Sequence, residues 1–314
     1  MIIDAHCDTI MQVTYEKNHK LRENDGHISL MKLKEGDSLC QFFALYIDKK
    51  YTDLKSPYEV FLDMYKVYIE QIDSNKDLIL PAYSADDIIK NHEMGKMSSM
   101  LAIEDAVCLE GKIERVDEFF SKGVRAMTLV WNNENELTFP NSCVAKDHMK
   151  GLKPFGFEAV ERMNRLGMLV DVSHLSEGGF YDVAKCSKKP FIATHSCARA
   201  LCNHQRNLTD YQLKTLGKAG GVVGVNFESS FLKENSKYGT YEQIVKHTRY
   251  MVDKAGIEAV GFGSDFDGIP IAGEIEDFRG FPKLIDLLSE HLTDDEIDMI
   301  SHKNMLRILR DNLK

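Results

Sequence analysis

The sequence predicts an α/β protein and, within that class, a (β/α)8 TIM barrel. Two observations carry the expectation. Eight short apolar, β-branched runs alternate with helix-patterned segments along the 314 residues, the signature of a parallel sheet with helical crossovers. Polar residues able to bind metal or move protons also fall at the carboxyl ends of those runs, where a barrel builds its active face. An open doubly wound sheet shares the alternation and is the rival architecture.

In chain order, the first run is MIIDAH from Met1 and the second is SLCQFFALYI from Ser38. A helical stretch, SPYEVFLDMYKVYIEQI, follows from Ser56, opening on a Ser cap with Pro behind it. The third and fourth runs are MLAIED from Met100 and VRAMTLV from Val124. GFEAVERMNRLG from Gly156 reads as a helix that stops on glycine and leads into the fifth run, MLVDVSH from Met168. PFIATHS from Pro190 and GGVVGVN from Gly220 are the sixth and seventh. The helical stretch YEQIVKHTRYMVDKAG from Tyr241 separates them from the last run, AVGFGSDFD from Ala259. The polar segments 9–37 and 49–54 read as surface excursions. No linker, repeat or low-complexity tract divides the chain, so residues 1–314 are expected to form one domain.

Composition narrows the function classes. With 43% hydrophobic and 28% charged residues the chain is of ordinary globular type. The 39 Lys and Arg against 49 Asp and Glu leave a net charge of -10 without a compensating basic run, so nucleic acid is not expected as a partner. No run approaches the roughly 18 apolar residues of a membrane span, and no basic, apolar leader follows Met1. The seven cysteines (Cys7, Cys40, Cys108, Cys143, Cys186, Cys197 and Cys202) are odd in number, scattered and free of CxxC spacing. A soluble cytoplasmic protein with reduced thiols, off the membrane, is the expectation.

The run ends present a ring of His6, Asp8, Glu104, His174, His195, Asn226 and Asp265. His6 and Asp8 are two apart, so an extended strand end aims both the same way and turns Cys7 aside. Alone, His-x-Asp is also an ordinary polar strand end, and the Glu104–Asp105 pair is also an ordinary helix start. His174 and His195 occupy equivalent strand-to-helix turns in consecutive βα units, which sets them apart from solitary core histidines. Asp265 ends the last run, with Asp267 its competitor. Three histidines and three carboxylates suit zinc or another first-row divalent ion better than magnesium or calcium. Three carboxylates overcompensate a single divalent cation and match two, so a binuclear centre bridged by a carboxylate is expected. Glu104 is the bridge, because its strand lies between the strands carrying the two ligand groups.

These residues, read as IDAHCDT, AIEDA, RMNRLGMLVDVSHLSE, THSCARAL with QRNLTD after it, and VGFGSDFDG, make the chain resemble the membrane dipeptidase (renal dipeptidase) family of amidohydrolase-like metal hydrolases. GLKPFG from Gly151 also matches the family's connecting segment. The resemblance implies a (β/α)8 barrel with two zinc ions per chain. His6, Asp8 and Asp265 would hold one, His174 and His195 the other, and Glu104 would bridge them. It implies hydrolysis of dipeptides by a metal-bridging hydroxide, with Asp265 carrying the water's proton to the leaving amine. Arg206 would bind the substrate's terminal carboxylate. Asn226, from its own place in the ring of run ends, is expected in the substrate-binding set. A homodimer is compatible with the resemblance.

One departure stands out. Mammalian members carry a His just after the fourth strand that meets the developing oxyanion, and this chain has Trp131 there. Indole donates but cannot carry a proton, so Trp131 is expected as a pocket wall and Asn132, Asn133 or His148 as sharers of the oxyanion. The alternatives are a binuclear hydrolase of another amide, lactam or ester, or a metal-binding barrel without turnover.

Overall fold

The computed structural model describes residues 1–16, 20–270 and 273–313. Its strands are β1 (Ile2–Cys7), β2 (Ser38–Tyr46), β3 (Ile79–Pro81), β4 (Met97–Glu104), β5 (Val124–Thr128), β6 (Leu169–Asp171), β7 (Ile192–Ser196), β8 (Val222–Val225) and β9 (Val260–Phe262). All pairings are parallel, in the order β2-β1-β9-β8-β7-β6-β5-β4-β3, and β2 also pairs with β4. That extra pairing closes eight strands into a (β/α)8 barrel, which rules out the open sheet. Each of the eight apolar runs supplies one stave.

β3 is an addition to the expected set. Ile79–Pro81 pair with Met97–Ser99, whereas β5 pairs with Leu101–Glu104, so β3 covers the stretch of β4 that β5 leaves open. Its three residues include a proline and only Ile79 is fully buried, too little pattern to register in the sequence. The last run also differs from expectation. Its strand stops at Phe262 and the chain leaves the sheet, passing through left-handed backbone at Asp265 (φ 63°) and Asp267 (φ 65°). A Cβ on Gly263 would lie 1.7 Å from the Thr194 carbonyl oxygen, so only glycine lets this turn pass β7.

The helices form where caps and periodicity agree. Ser56 and Glu59 close a capping box at the start of Pro57–Asp73, whose buried face is Val60, Phe61, Met64, Tyr68 and Ile72. Helices Pro154–Leu166 and Tyr241–Ala255 stop at Gly167 (φ 84°) and Gly256 (φ 95°). One apolar cluster gathers residues from β1, β2 and β4 to β8 with Met305, Leu306, Ile308 and Leu309 of the last helix, Asn304–Asn312. Asn304 donates to the carbonyls of Ile257 and Val260 at 2.7 and 2.8 Å, tying that helix to the barrel.

The described residues of segment 9–37 are not a surface excursion. They include helices Thr9–Tyr15 and Leu30–Glu35, and Ile10, Leu21, Ile28, Leu30 and Leu33 are fully buried. Each short helix buries a single apolar i,i+3 pair, Ile10/Val13 and Leu30/Leu33, too brief a pattern to stand out in a polar segment. Residues 49–54 do lie outside, with Leu54 92% exposed. Among the described residues no helix is long and apolar enough to cross a membrane.

Candidate metal centre

Six side chains from the carboxyl ends of five staves converge. His6 sits in β1 with Asp8 just beyond it; Glu104 ends β4; His174 follows β6; His195 lies in β7; Asp265 follows β9. Glu104 Oε2 is 3.5 Å from His6 Nε2, which is 3.5 Å from Asp8 Oδ2 and 3.9 Å from Asp265 Oδ1. The other oxygen, Glu104 Oε1, is 3.0 Å from His174 Nε2 and 3.4 Å from His195 Nε2, and the two imidazole nitrogens are 3.0 Å apart. Glu104 thus turns one oxygen to each of two ligand groups. Cys7 is excluded, its thiol directed to the Phe42 carbonyl at 3.4 Å.

Neighbouring groups decide which atoms face inward. The Thr194 hydroxyl donates to Asp171 Oδ2 at 2.6 Å, so toward His195 Nδ1, 2.8 Å away, it can only accept. The Nδ1 therefore carries the proton and Nε2 presents its lone pair. Asn132 Oδ1, 3.1 Å from His174 Nδ1, imposes the same tautomer there. Asp171 is itself held by the Thr128 hydroxyl and by the backbone N–H groups of Ser173 and Thr194. Asn226 Nδ2 donates to Asp265 Oδ2 at 2.9 Å, leaving Oδ1 toward His6. His174 (φ 68°) and Asp265 (φ 63°) adopt left-handed backbone, which non-glycine residues rarely do.

The donor set fits divalent cations. His174 Nε2, His195 Nε2 and Glu104 Oε1 face one another within 3.4 Å, and the imidazole protons are held on the outer nitrogens. His6 Nε2 and Asp8 Oδ1 are buried with no hydrogen-bond partner. Left to the protein alone, burial pushes Glu104 up to about 8, with Asp8 adding to the rise and His6 opposing it. Burial likewise raises Asp265 to about 7 against the pull of His6. Burial disfavours charge on His6, but Glu104 and Asp8 outweigh it and hold its pKa well above the ordinary value. His174 and His195 are held well below theirs, first by burial. Such a cost of burying charge is what bound cations cancel.

The centre opens into a cavity of about 450 Å³ whose wall includes Tyr46, Trp131, Asn132, Glu228 and Phe231. Trp131 also borders a second cavity of about 240 Å³, which Asn133 lines; its ring centroid is 4.9 Å from Tyr46 and 6.1 Å from His174. Burial, then Glu104, raises the pKa of Tyr46, so its phenol stays protonated. Arg206, 6% exposed, donates to the His195 carbonyl at 3.1 Å and lies 5.4 Å from the centre of the Phe231 ring, while its Nε has no partner.

Two expected site residues are placed differently. Asn226, expected among the substrate-binding groups, is fully buried behind Asp265, with its carbonyl oxygen accepting from the Glu228 N–H at 2.6 Å. Both ends of its amide are occupied, and it forms no part of the cavity wall. His148, a candidate for the oxyanion, accepts from the Ser142 N–H at 3.1 Å and faces Arg199 at 3.2 Å, away from the centre. Asp267, the competitor of Asp265, accepts from the Thr9 hydroxyl at 2.6 Å and from the His27 and Ile28 N–H groups, fastening segment 9–37. Tyr46, Asp171 and Thr194 escaped the sequence reading because each looks like an ordinary member of a strand run.

Known proteins share this sequence pattern and fold. A family model described as membrane dipeptidase, peptidase family M19, matches residues 1–313. An uncharacterized dipeptidase of Schizosaccharomyces pombe is 33% identical, over 98% of this chain and 79% of its own length. A dipeptidase of Claviceps purpurea is 29% identical over 91% and 69%. Among solved structures, a metallo peptidase from Rhodobacter sphaeroides liganded with a phosphinate mimic of the dipeptide L-Ala-D-Ala superposes with a TM-score of 0.90 at 27% identity, covering 99% of both chains. A dipeptidase described as a metallo peptidase of family M19 gives 0.91 at 28%, covering 99% of this chain and 98% of its own. The chain belongs to the membrane dipeptidase family.

Proposed function

We propose that this protein hydrolyses dipeptides at a binuclear zinc centre held by His6, Asp8 and Asp265 on one side, His174 and His195 on the other, and Glu104 between them. The observation that carries the reading is the division of Glu104, one oxygen facing each group. Two bound zinc ions would supply the Lewis acidity that makes water nucleophilic near neutral pH and polarises the scissile carbonyl. The protein's own residues do the rest. Asn226 fixes Asp265 so that Oδ1 faces the cavity side, where it takes a proton from the attacking water. The water oxygen bonds to the carbonyl carbon, the C–N bond breaks, and Asp265 returns that proton to the leaving nitrogen. Arg206, buried beside Phe231 of the cavity wall, would give the substrate's terminal carboxylate a charge-assisted bond. Trp131 and Asn132 wall the cavity, whose volume of about 450 Å³ suits a small molecule. Seven unpaired cysteines support a reducing, cytoplasmic setting.

Metal analysis of protein purified without added metal, with amino acid release from L,L and L,D dipeptides before and after chelation, tests this. About two equivalents of zinc and chelator-sensitive release are expected. Two equivalents without release would move the reading to another amide, and no metal after reconstitution would overturn it.

A further inference from the structure

The oxyanion partner left open by Trp131 has a candidate on a strand that the ligand motifs do not touch. Tyr46 is the last residue of β2 and pairs in register with Glu104, the last residue of β4. Its side chain therefore rises from the same level of the barrel mouth as the carboxylate between the two ligand groups. It lines the same cavity as Asp8, Glu104, His174 and Asp265. Tyr46 is only 8% exposed, yet among the described residues its hydroxyl makes no hydrogen bond. Tyr68, another buried tyrosine, spends its hydroxyl on Ser99 at 2.9 Å. The Tyr46 hydroxyl is not one of the fully buried polar atoms that lack a partner; it opens onto the cavity, where a ligand can accept from it.

Two other candidates are placed elsewhere: His148 faces Ser142 and Arg199, away from the centre, and Arg206 is assigned to the terminal carboxylate. Asn132 lines the cavity, but its carbonyl oxygen is tied to His174 as the group that sets that imidazole's tautomer. The Tyr46 ring, by contrast, is braced against Trp131. A donor fixed in advance at a water-poor site is what stabilises charge developing on a carbonyl oxygen. We propose that the Tyr46 hydroxyl is a catalytic donor, giving a hydrogen bond to the scissile carbonyl oxygen as that atom gains negative charge. No proton is transferred in this step; the phenol keeps its hydrogen throughout. The assignment rests on the dipeptidase reading above and adds a residue to it. It divides the labour at the mouth, with Trp131 as the wall and Tyr46 as the donor that the wall orients.

The test compares zinc-loaded wild type with Tyr46→Phe, which keeps the ring against Trp131 and removes only the hydroxyl. Steady-state kinetics on a hydrolysed dipeptide, binding of a phosphinate dipeptide mimic, zinc content and the emission of Trp131, the single tryptophan, are all measured. The expected result is a fall in kcat of about 10²–10³-fold, as for removal of one oxyanion donor. KM should stay within about threefold and the mimic should lose affinity, with zinc content and emission unchanged. If kcat in Tyr46→Phe stays within about threefold of wild type, the assignment is overturned while the dipeptidase reading stands. Loss of zinc or shifted Trp131 emission in the variant would place Tyr46 in the scaffold and also overturn it. Wild type that releases nothing from any dipeptide overturns the functional reading and this assignment together.

Discussion

The two halves of the metal centre are built differently. On the His174/His195 side each imidazole has its outer nitrogen bonded, to Asn132 and to Thr194, and a buried carboxylate, Asp171, holds Thr194 in turn. On the His6 side, His6 Nε2 and Asp8 Oδ1 make no hydrogen bond, and Asp265 is steadied by a single amide. The first half has its tautomers set by the protein before any cation arrives. The second carries two carboxylates and unsatisfied atoms, so it depends on a cation to become electrostatically complete. The difference teaches which side is scaffold and which is working group. The residue proposed to move a proton, Asp265, belongs to the half with the fewer constraints.

The change that should separate the halves most is Asp265→Asn. Turnover should fall by 10³-fold or more, with bound zinc dropping from about two equivalents toward one retained by His174 and His195. Elemental analysis beside kcat checks both statements, and full turnover in the variant would remove Asp265 from its role. Thr194→Val attacks the other half at constant shape. It should weaken retention of the His174/His195 ion by about 10–100-fold, the usual cost of losing a group that orients a ligand. Chelator titration that instead showed loss from the His6 side would reverse the comparison.

His247 belongs to neither half and serves as a control for acid effects. It accepts from the Ala198 N–H at 3.1 Å and contacts the Leu232 carbonyl at 3.0 Å, and burial lowers its pKa to about 4. A folded pKa below the unfolded value near 6.5 means that the unfolded chain binds the extra proton first. The stability contributed is complete above pH 6.5 and is lost as pH falls toward 4, by up to about 3 kcal/mol. Denaturant unfolding of chelated wild type and His247→Gln should show that loss only in wild type; equal pH slopes would refute it. The smallest effect is expected for Cys7→Ala. The thiol lies between two ligands in sequence but faces the Phe42 carbonyl, so zinc content and kcat should stay within about twofold. A lost equivalent of zinc would mean that the strand end does not alternate as described.

Much of this was legible in the residues. HCD, IED, VSH, THS and SDFD mark strand ends because each closes an apolar run, and the barrel places such ends on one face. The staves themselves were readable for the same reason. Segment 9–37 was not, since each of its helices buries only one apolar i,i+3 pair and its anchor, Asp267, lies 258 residues from its Thr9 partner. Asn226 was read as facing substrate because it ends a strand as the ligands do; nothing local shows that its amide is taken by Asp265.

By itself, then, the sequence determined the (β/α)8 barrel, the six candidate ligands and their grouping along the chain. Hydrophobic period and strand alternation are local, and they dictate which way neighbouring side chains point. Only the tertiary structure decided which oxygen of Glu104 meets which histidine, which nitrogen of each imidazole faces inward, that Asp267 fastens a segment while Asp265 faces the centre, and that the Tyr46 hydroxyl stands free in the cavity. Hydrogen-bond partners at a barrel mouth come from different staves, and their identity depends on strand register and on the closing pair β2–β4. Both arise from packing the whole chain, and no short stretch of residues encodes them.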